Sequence, residues 1–206
     1  MGLGRFWGRV IDVRSVPGKW WVITAVGAGG PAVVVWAVAG AREFEPSGIT
    51  AVLGIAAFAL AASFAEEPGW RGYALDKLRQ RRLLASVVIA AAWAGWHLPL
   101  YAIEGTFQHD EVGFATTLFC IFMAALLPQT ILMVWVLDHT RPSILPAVVF
   151  HALTNISGEL LTLTTTQQAV RLAVWAVLAA PVVVRWLRKA PSEDGVRAAE
   201  PPPIEP

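Results

Sequence analysis

The sequence predicts an all-α membrane protein, a polytopic bundle of about six transmembrane helices. Three observations carry that prediction. Of 206 residues, 56% are hydrophobic and 15% charged, with a mean hydropathy of +0.56, too apolar for a domain whose whole surface meets water. Apolar runs of about 20 residues, the length that crosses a hydrocarbon core, recur along the chain. Finally, the lysines and arginines fall almost entirely on one side of those runs.

The first span, residues 20–40, follows a basic N-terminal segment, residues 1–19, holding Arg5, Arg9, Arg14 and Lys19. Basic residues ahead of an apolar stretch that ends in AVAGA resemble a signal peptide, but its length and the spans behind it predict an uncleaved anchor. The second span, 48–65, is free of charge until it runs into EEPGWR, where Pro68 and Gly69 are expected to break the helix. The third covers 83–103. The fourth, 114–137, is FATTLFCIFMAALLPQTILMVWVL, the clearest of the set. The fifth covers 143–165. The sixth, 168–188, is the weakest, because thirteen residues, Leu172 to Val184, separate Arg171 from Arg185 and both arginines must snorkel for it to span. Residues 20–189 form one transmembrane domain, with no internal repeat, and the Pro-rich tail 190–206 is expected to be disordered.

Charge placement orients the bundle. Fourteen Lys and Arg lie on the side of both termini and of the Arg79–Arg82 turn; Arg42 and Arg171 lie on the other, whose connection EGTFQHDEVG has none. That bias predicts both termini in the cytoplasm, with the cell membrane as the expected location and the lipid bilayer as a partner. The net charge of +1 gives no reason for a nucleic-acid partner. Trp20, Trp21, Trp36, Trp135 and Trp186 fall near span ends and are expected to form an interfacial belt. The single cysteine, Cys120, lies in an apolar run and is expected in the core.

Against this apolar background the polar residues inside spans stand out, because an ionisable group there costs about 2.5–3.5 kcal/mol on insertion scales and normally faces a cavity or a partner. WAGWH places His97 in the third span, and FHALTNISGE places His151, Asn155 and Glu159 on one face of the fifth, each four residues from the next. Glu66 precedes the Arg79–Arg82 turn by 13 residues and His97 follows it by 15; at about 1.5 Å per residue both lie about 20 Å from it. With His151 they are expected to share a polar pocket opening to the cytoplasm, a third to half of the way into the bilayer. Glu67 is four residues before Arg71, the spacing of an ion pair on one helical face.

These residues also match three motifs in order: EEPGWR fits Glu-Glu-x-x-x-Arg, WAGWH fits Phe-x-x-x-His with Trp93 in place of Phe, and HALTN fits His-x-x-x-Asn. Over roughly residues 48–165 the chain resembles the CPBP family, the CAAX prenyl protease and bacteriocin-processing group of intramembrane proteases, also called the ABI family. The resemblance implies a glutamate-dependent endopeptidase acting on a peptide or membrane-protein substrate without a cofactor. In that reading Glu66, His97, His151 and Asn155 are catalytic, and Glu67 and Arg71 support them structurally. The chemistry agrees: Glu66 takes a proton from a water held by His97, while His151 and Asn155 offer N–H donors to an oxyanion.

Other readings stay open. Glu66, His97 and His151 are chemically adequate for a zinc site, although His-Glu-x-x-His is absent, as is Gly-x-Ser-x-Gly. Some relatives are known mainly as immunity or regulatory factors, so a non-catalytic membrane scaffold is a second class. A small transporter using the buried Glu and His groups as a proton relay is a third.

Overall fold

A computed structural model describes residues 2–39, 48–78, 80–161 and 163–189. The tail 190–206, Arg42 and Arg79 lie outside the described residues. The elements in order are α1 (Leu3–Val10), α2 (Gly18–Ala39), α3 (Ile49–Glu67), a π-helical turn (Pro68–Ala74), α4 (Leu75–Leu78), α5 (Arg82–His97), a 3-10 turn (Leu98–Ala102), a second π turn (Gln108–Val112), α6 (Thr117–Thr140), α7 (Leu145–Glu159) and α8 (Thr165–Lys189). The chain is an all-α polytopic membrane protein. Among the described residues, five helical stretches are long and apolar enough to cross a membrane: Gly18–Val38, Ile49–Leu78, Arg82–Ala102, Thr117–Thr140 and Thr165–Arg188. Outward-facing Val33, Leu53, Leu60, Val88 and Val177 suit lipid rather than water.

The expected fifth span is the exception. α7 has 15 residues, about 22 Å at 1.5 Å per residue, short of a hydrocarbon core of about 30 Å. Its apolar run gives way to Ser157, Gly158 and Glu159, where little favours continuing a helix. The sixth span is stronger than its sequence suggests. α8 has 25 residues and opens on a reciprocal cap in which Gln167 N donates to Thr164 Oγ1 at 3.3 Å and Thr164 N donates to Gln167 Oε1 at 2.9 Å. Arg171 does not snorkel outward; it is buried in the bundle.

Pro68 does not break its helix. It keeps helical dihedrals, φ −57° and ψ −37°, and starts the π turn in which Leu75 N donates to Trp70 O, five residues back. Proline has no N–H to give the preceding turn, and a widened turn absorbs that loss without changing the helix's course. The helix therefore continues from Ile49 to Leu78, and residues 66–78 do not form a separate helix on the lipid surface, since Glu67, Pro68, Arg71, Gly72 and Leu75 are buried. α1 docks on this turn: Ile144 N donates to Arg9 O at 2.8 Å, and Arg9 pairs with Asp76 at 2.6 Å. Gly72 permits the approach, as a Cβ there would stand 2.9 Å from Ile144 Cδ1 and 3.2 Å from Phe6 Cζ.

α6 is the central helix. The Thr116 side chain caps it by accepting from Phe119 N at 3.0 Å, and its second half, including Leu132, Met133, Val134 and Leu137, is buried against Ala28, Phe150 and Trp175. Two sequence expectations change here. Cys120 lies on the exposed face of α6 rather than in the core. Trp20 is 7% exposed, edge-on to Trp135 at 5.2 Å and stacked on His139 at 4.4 Å, so it packs between helices instead of joining a lipid-facing belt.

Candidate active site

Trp93 is the hub on which the predicted residues meet. α5 buries it, and its indole N–H donates to Glu66 Oε2 at 2.8 Å. Its carbonyl accepts from His97 Nδ1 at 2.7 Å, and its ring lies edge-on to His97 at 5.6 Å and to His151 at 5.0 Å. The Arg71 guanidinium sits over its face at 4.1 Å, a cation–π contact that is stronger out of water. Helices α3, α5 and α7 and the π turn thus converge on one side chain.

The two adjacent glutamates part company here. Successive residues on a helix are about 100° apart. Glu66 is half-buried and lines a cavity. Glu67 is fully buried, pairs with Arg71 Nη1 at 2.8 Å and accepts from His151 Nδ1 at 2.9 Å. Arg71 also donates from Nη2 to Thr130 Oγ1 at 3.1 Å, while its Nε and Glu67 Oε2 are buried without a hydrogen-bond partner among the described residues. Glu67 is therefore joined to His151 as well as to Arg71, a link between the ion pair and the cavity wall that the four-residue spacing does not reveal.

Both histidines have their Nδ1 occupied, so their Nε2 atoms are the ones left for chemistry. His97 must carry its proton on Nδ1 to bond a carbonyl, which makes Nε2 an acceptor in the neutral ring. Asn155 lies one turn beyond His151 on α7 and lines the same cavity as Glu66, Trp93, His97 and His151. Among the described residues its side chain has no hydrogen-bond partner. Glu67 and Arg71 are absent from the cavity lining.

The cavity measures about 720 Å³, within the usual range for small-molecule and peptide sites. Its wall runs from Glu66 and His97 to the 105–112 connection and to Glu159 and Gln168 at the α7–α8 end. Those segments lie at the end of the bundle opposite the Arg81–Arg82 turn, so the cavity extends away from the basic turn, not toward it as the sequence suggested. Sequence reasoning also passed over three of its residues. Trp93 was legible only as an aromatic in a motif, whereas the structure uses its N–H, which Phe lacks. Gln129 is buried in α6 and Arg171 in α8, and both line the cavity. A polar residue in an apolar span is the signal that would have found them. Among the described residues, no three His, Cys, Asp or Glu side chains converge closely enough to hold a metal ion.

Two comparisons with known proteins bear on this arrangement. Residues 48–157 match the family model described as Type II CAAX prenyl endopeptidase Rce1-like, a segment that contains Glu66, Trp93, His97, His151 and Asn155. The chain is also 35% identical over 127 residues to a CAAX prenyl protease 2 of Methanococcus maripaludis, an alignment covering 61% of this chain and 46% of that protein. It spans about half the length of the curated relative it matches. Because the family match covers more than half of the chain and holds every cavity group drawn together by Trp93, the chain belongs to the Type II CAAX prenyl endopeptidase Rce1-like family.

Proposed function

We propose that the chain is an intramembrane endopeptidase in which Glu66 activates water for peptide-bond hydrolysis. The observation that carries this reading is the division of labour between neighbours: Glu66 faces the cavity beside His97, held by the Trp93 N–H, while Glu67 is sealed into an ion pair. Glu66 and His97 Nε2 present two acceptors to one water, which engages both of its hydrogens and leaves an oxygen lone pair for the carbonyl carbon. As the C–O bond forms, Glu66 takes the proton. The developing oxyanion meets Asn155 and His151. Glu67 accepts from His151 Nδ1 at 2.9 Å and so fixes the orientation of that ring in the cavity wall. Collapse of the tetrahedral species breaks the C–N bond, and the proton on Glu66 passes to the leaving nitrogen.

The substrate class that fits is a peptide or the tail of a membrane protein reaching the site through the bilayer; the relative's name points to a CAAX sequence on a prenylated chain. Charge placement keeps both termini and the basic turn in the cytoplasm, with residues 20–189 as the protease domain in the cell membrane. The cavity mouth then faces the opposite side. Glu66→Gln preserves shape and removes the base, so cleavage of a peptide substrate by the purified chain is expected to fall at least about 10²-fold with thermal stability unchanged. Normal cleavage by that variant would remove Glu66 from the mechanism. Stripping divalent metal with a chelator is expected to leave activity intact; loss of activity with recovery on added zinc would instead support a Glu66, His97 and His151 zinc site.

A further inference from the structure

A second groove, of about 440 Å³, lies between α2, α6 and α8. Its walls are apolar: Val22 and Val26 of α2, Leu132 and Val136 of α6, and Leu178 and Val182 of α8. Val22, Val26 and Leu178 are exposed at its lip, so it opens sideways toward the bilayer. Gly27 and Phe150 also line it, and Phe150 immediately precedes His151 of the candidate active site. Arg185 is the one charged residue among the described residues of the lining. Two further cations continue the same helix faces past that end. Lys19 precedes Val22 by three residues and Ile23 by four, and Arg188 follows Arg185 by three, spacings that share a face. Lys19, Arg185 and Arg188 are exposed, and among the described residues none of them forms an ion pair.

We propose that this groove binds one anionic phospholipid, with an acyl chain along the apolar walls and the phosphate at Lys19 and Arg185. Apolar walls accept any hydrocarbon chain; the unpaired cations at one end are what select an anion. Those cations stand where α2 begins and α8 ends, the level of lipid headgroups rather than of the hydrocarbon core. The orientation set by charge puts them at the cytoplasmic leaflet, which carries the anionic lipids, and basic pockets between spanning helices on that side suit such headgroups. Leu178 precedes Arg185 by seven residues, about 10 Å along α8. The groove therefore takes the part of an acyl chain nearest the glycerol and leaves the remainder in the bilayer. A chain seated there packs on Gly27 and Phe150, behind the junction that places His151. This site lies outside the peptidase cavity, and its occupancy does not depend on the endopeptidase reading.

The test uses the purified full chain in neutral detergent, with bound lipid counted by native mass spectrometry. Dioleoylphosphatidylglycerol is expected to bind as a single molecule per chain, about tenfold or more tighter than dioleoylphosphatidylcholine, the scale of two cations at roughly fivefold each. The Lys19→Gln, Arg185→Gln double variant is expected to bring the two lipids within about threefold of each other. Val26→Trp, which fills the groove, is expected to weaken both. Equal affinity for the two lipids on the parent chain, or no binding of phosphatidylglycerol, overturns the proposal, as does a preference that survives the double variant. Unchanged binding of phosphatidylglycerol to Val26→Trp assigns the lipid to the exposed cations without the groove and overturns it too. Displacement of the lipid by inorganic phosphate at equal concentration gives the site to a soluble anion, and displacement by the neutral prenyl alcohol geranylgeraniol gives the groove to a prenyl chain; either result overturns the proposal. If the double variant fails to fold, the lipid comparison on the parent chain and on Val26→Trp still decides.

Discussion

Glu66 lines the cavity half-buried while Glu67 is fully buried and paired with Arg71, and their substitutions should differ accordingly. Glu67→Gln leaves Arg71 buried without its counter-charge, so detergent thermal denaturation is expected to report a loss of about 3 kcal/mol. Adding Arg71→Met removes the stranded cation and is expected to recover more than half of it. A Glu67→Gln variant as stable as the parent chain but inactive, together with a fully active Glu66→Gln, would reverse the two assignments. Trp93→Phe keeps the ring beneath Arg71 and between the histidines but deletes the donor to Glu66. Cleavage is expected to drop about tenfold, the scale of one hydrogen bond to a charged group, with little change in melting temperature. An unchanged rate would show that the Trp93 bond does not position the carboxylate.

Among the elements, α7 brings several polar groups of the cavity wall together. It delivers His151 and Asn155 to the cavity, holds Arg171 through Thr154 and Ser157, and packs Phe150 against α2 at Gly27, where a Cβ would stand 3.1 Å from the Phe150 ring. The Trp175 indole N–H closes the same junction by donating to Gly27 O at 3.0 Å. Close approach at a small residue is how helices associate in lipid, where burial of apolar surface gives no drive. Gly27→Leu must therefore separate α2 from α7, and is expected to cost about 2 kcal/mol of stability and to lower cleavage, since Phe150 adjoins His151. Gly27→Ala should do less, because the ring need give by only a few tenths of an ångström. A Leu variant with native melting and cleavage would show that this contact does not set the position of α7.

For the whole molecule, the placement of charge sets the side on which the cavity ends. α1, the Arg81–Arg82 turn and Arg141 gather at one end of the bundle through Arg9–Asp76, Arg82–Asp138 and Arg141–Asp76 pairs. α8 returns there, with Arg185 beside Val22 and Trp135 along a second, apolar groove. A compartment-sensitive reporter fused directly after Lys189 is expected to report cytoplasm, and one inserted in the 105–112 connection the opposite compartment. An extracytoplasmic signal after Lys189 would invert the bundle and turn the cavity mouth to the cytoplasm.

Hydropathy and charge alone determined the membrane class and the positions of most helices, because a segment in lipid must satisfy its backbone internally and reveals itself by length and apolarity. The same logic exposed Glu66, His97, His151 and Asn155, since polar groups are conspicuous in an apolar span. It also suggested that Glu67 and Arg71 share a face. Tertiary structure decided everything that depends on direction and on neighbours from other helices: that Pro68 widens a turn instead of ending it, that α7 stops short, that Trp93 bonds Glu66, that Glu67 reaches His151, and that Arg171 points inward. The Trp93–Glu66, Glu67–His151 and Arg171–Thr154 contacts join residues 27, 84 and 17 positions apart on different helices, and helical periodicity reports only the face a residue occupies, not what stands opposite it.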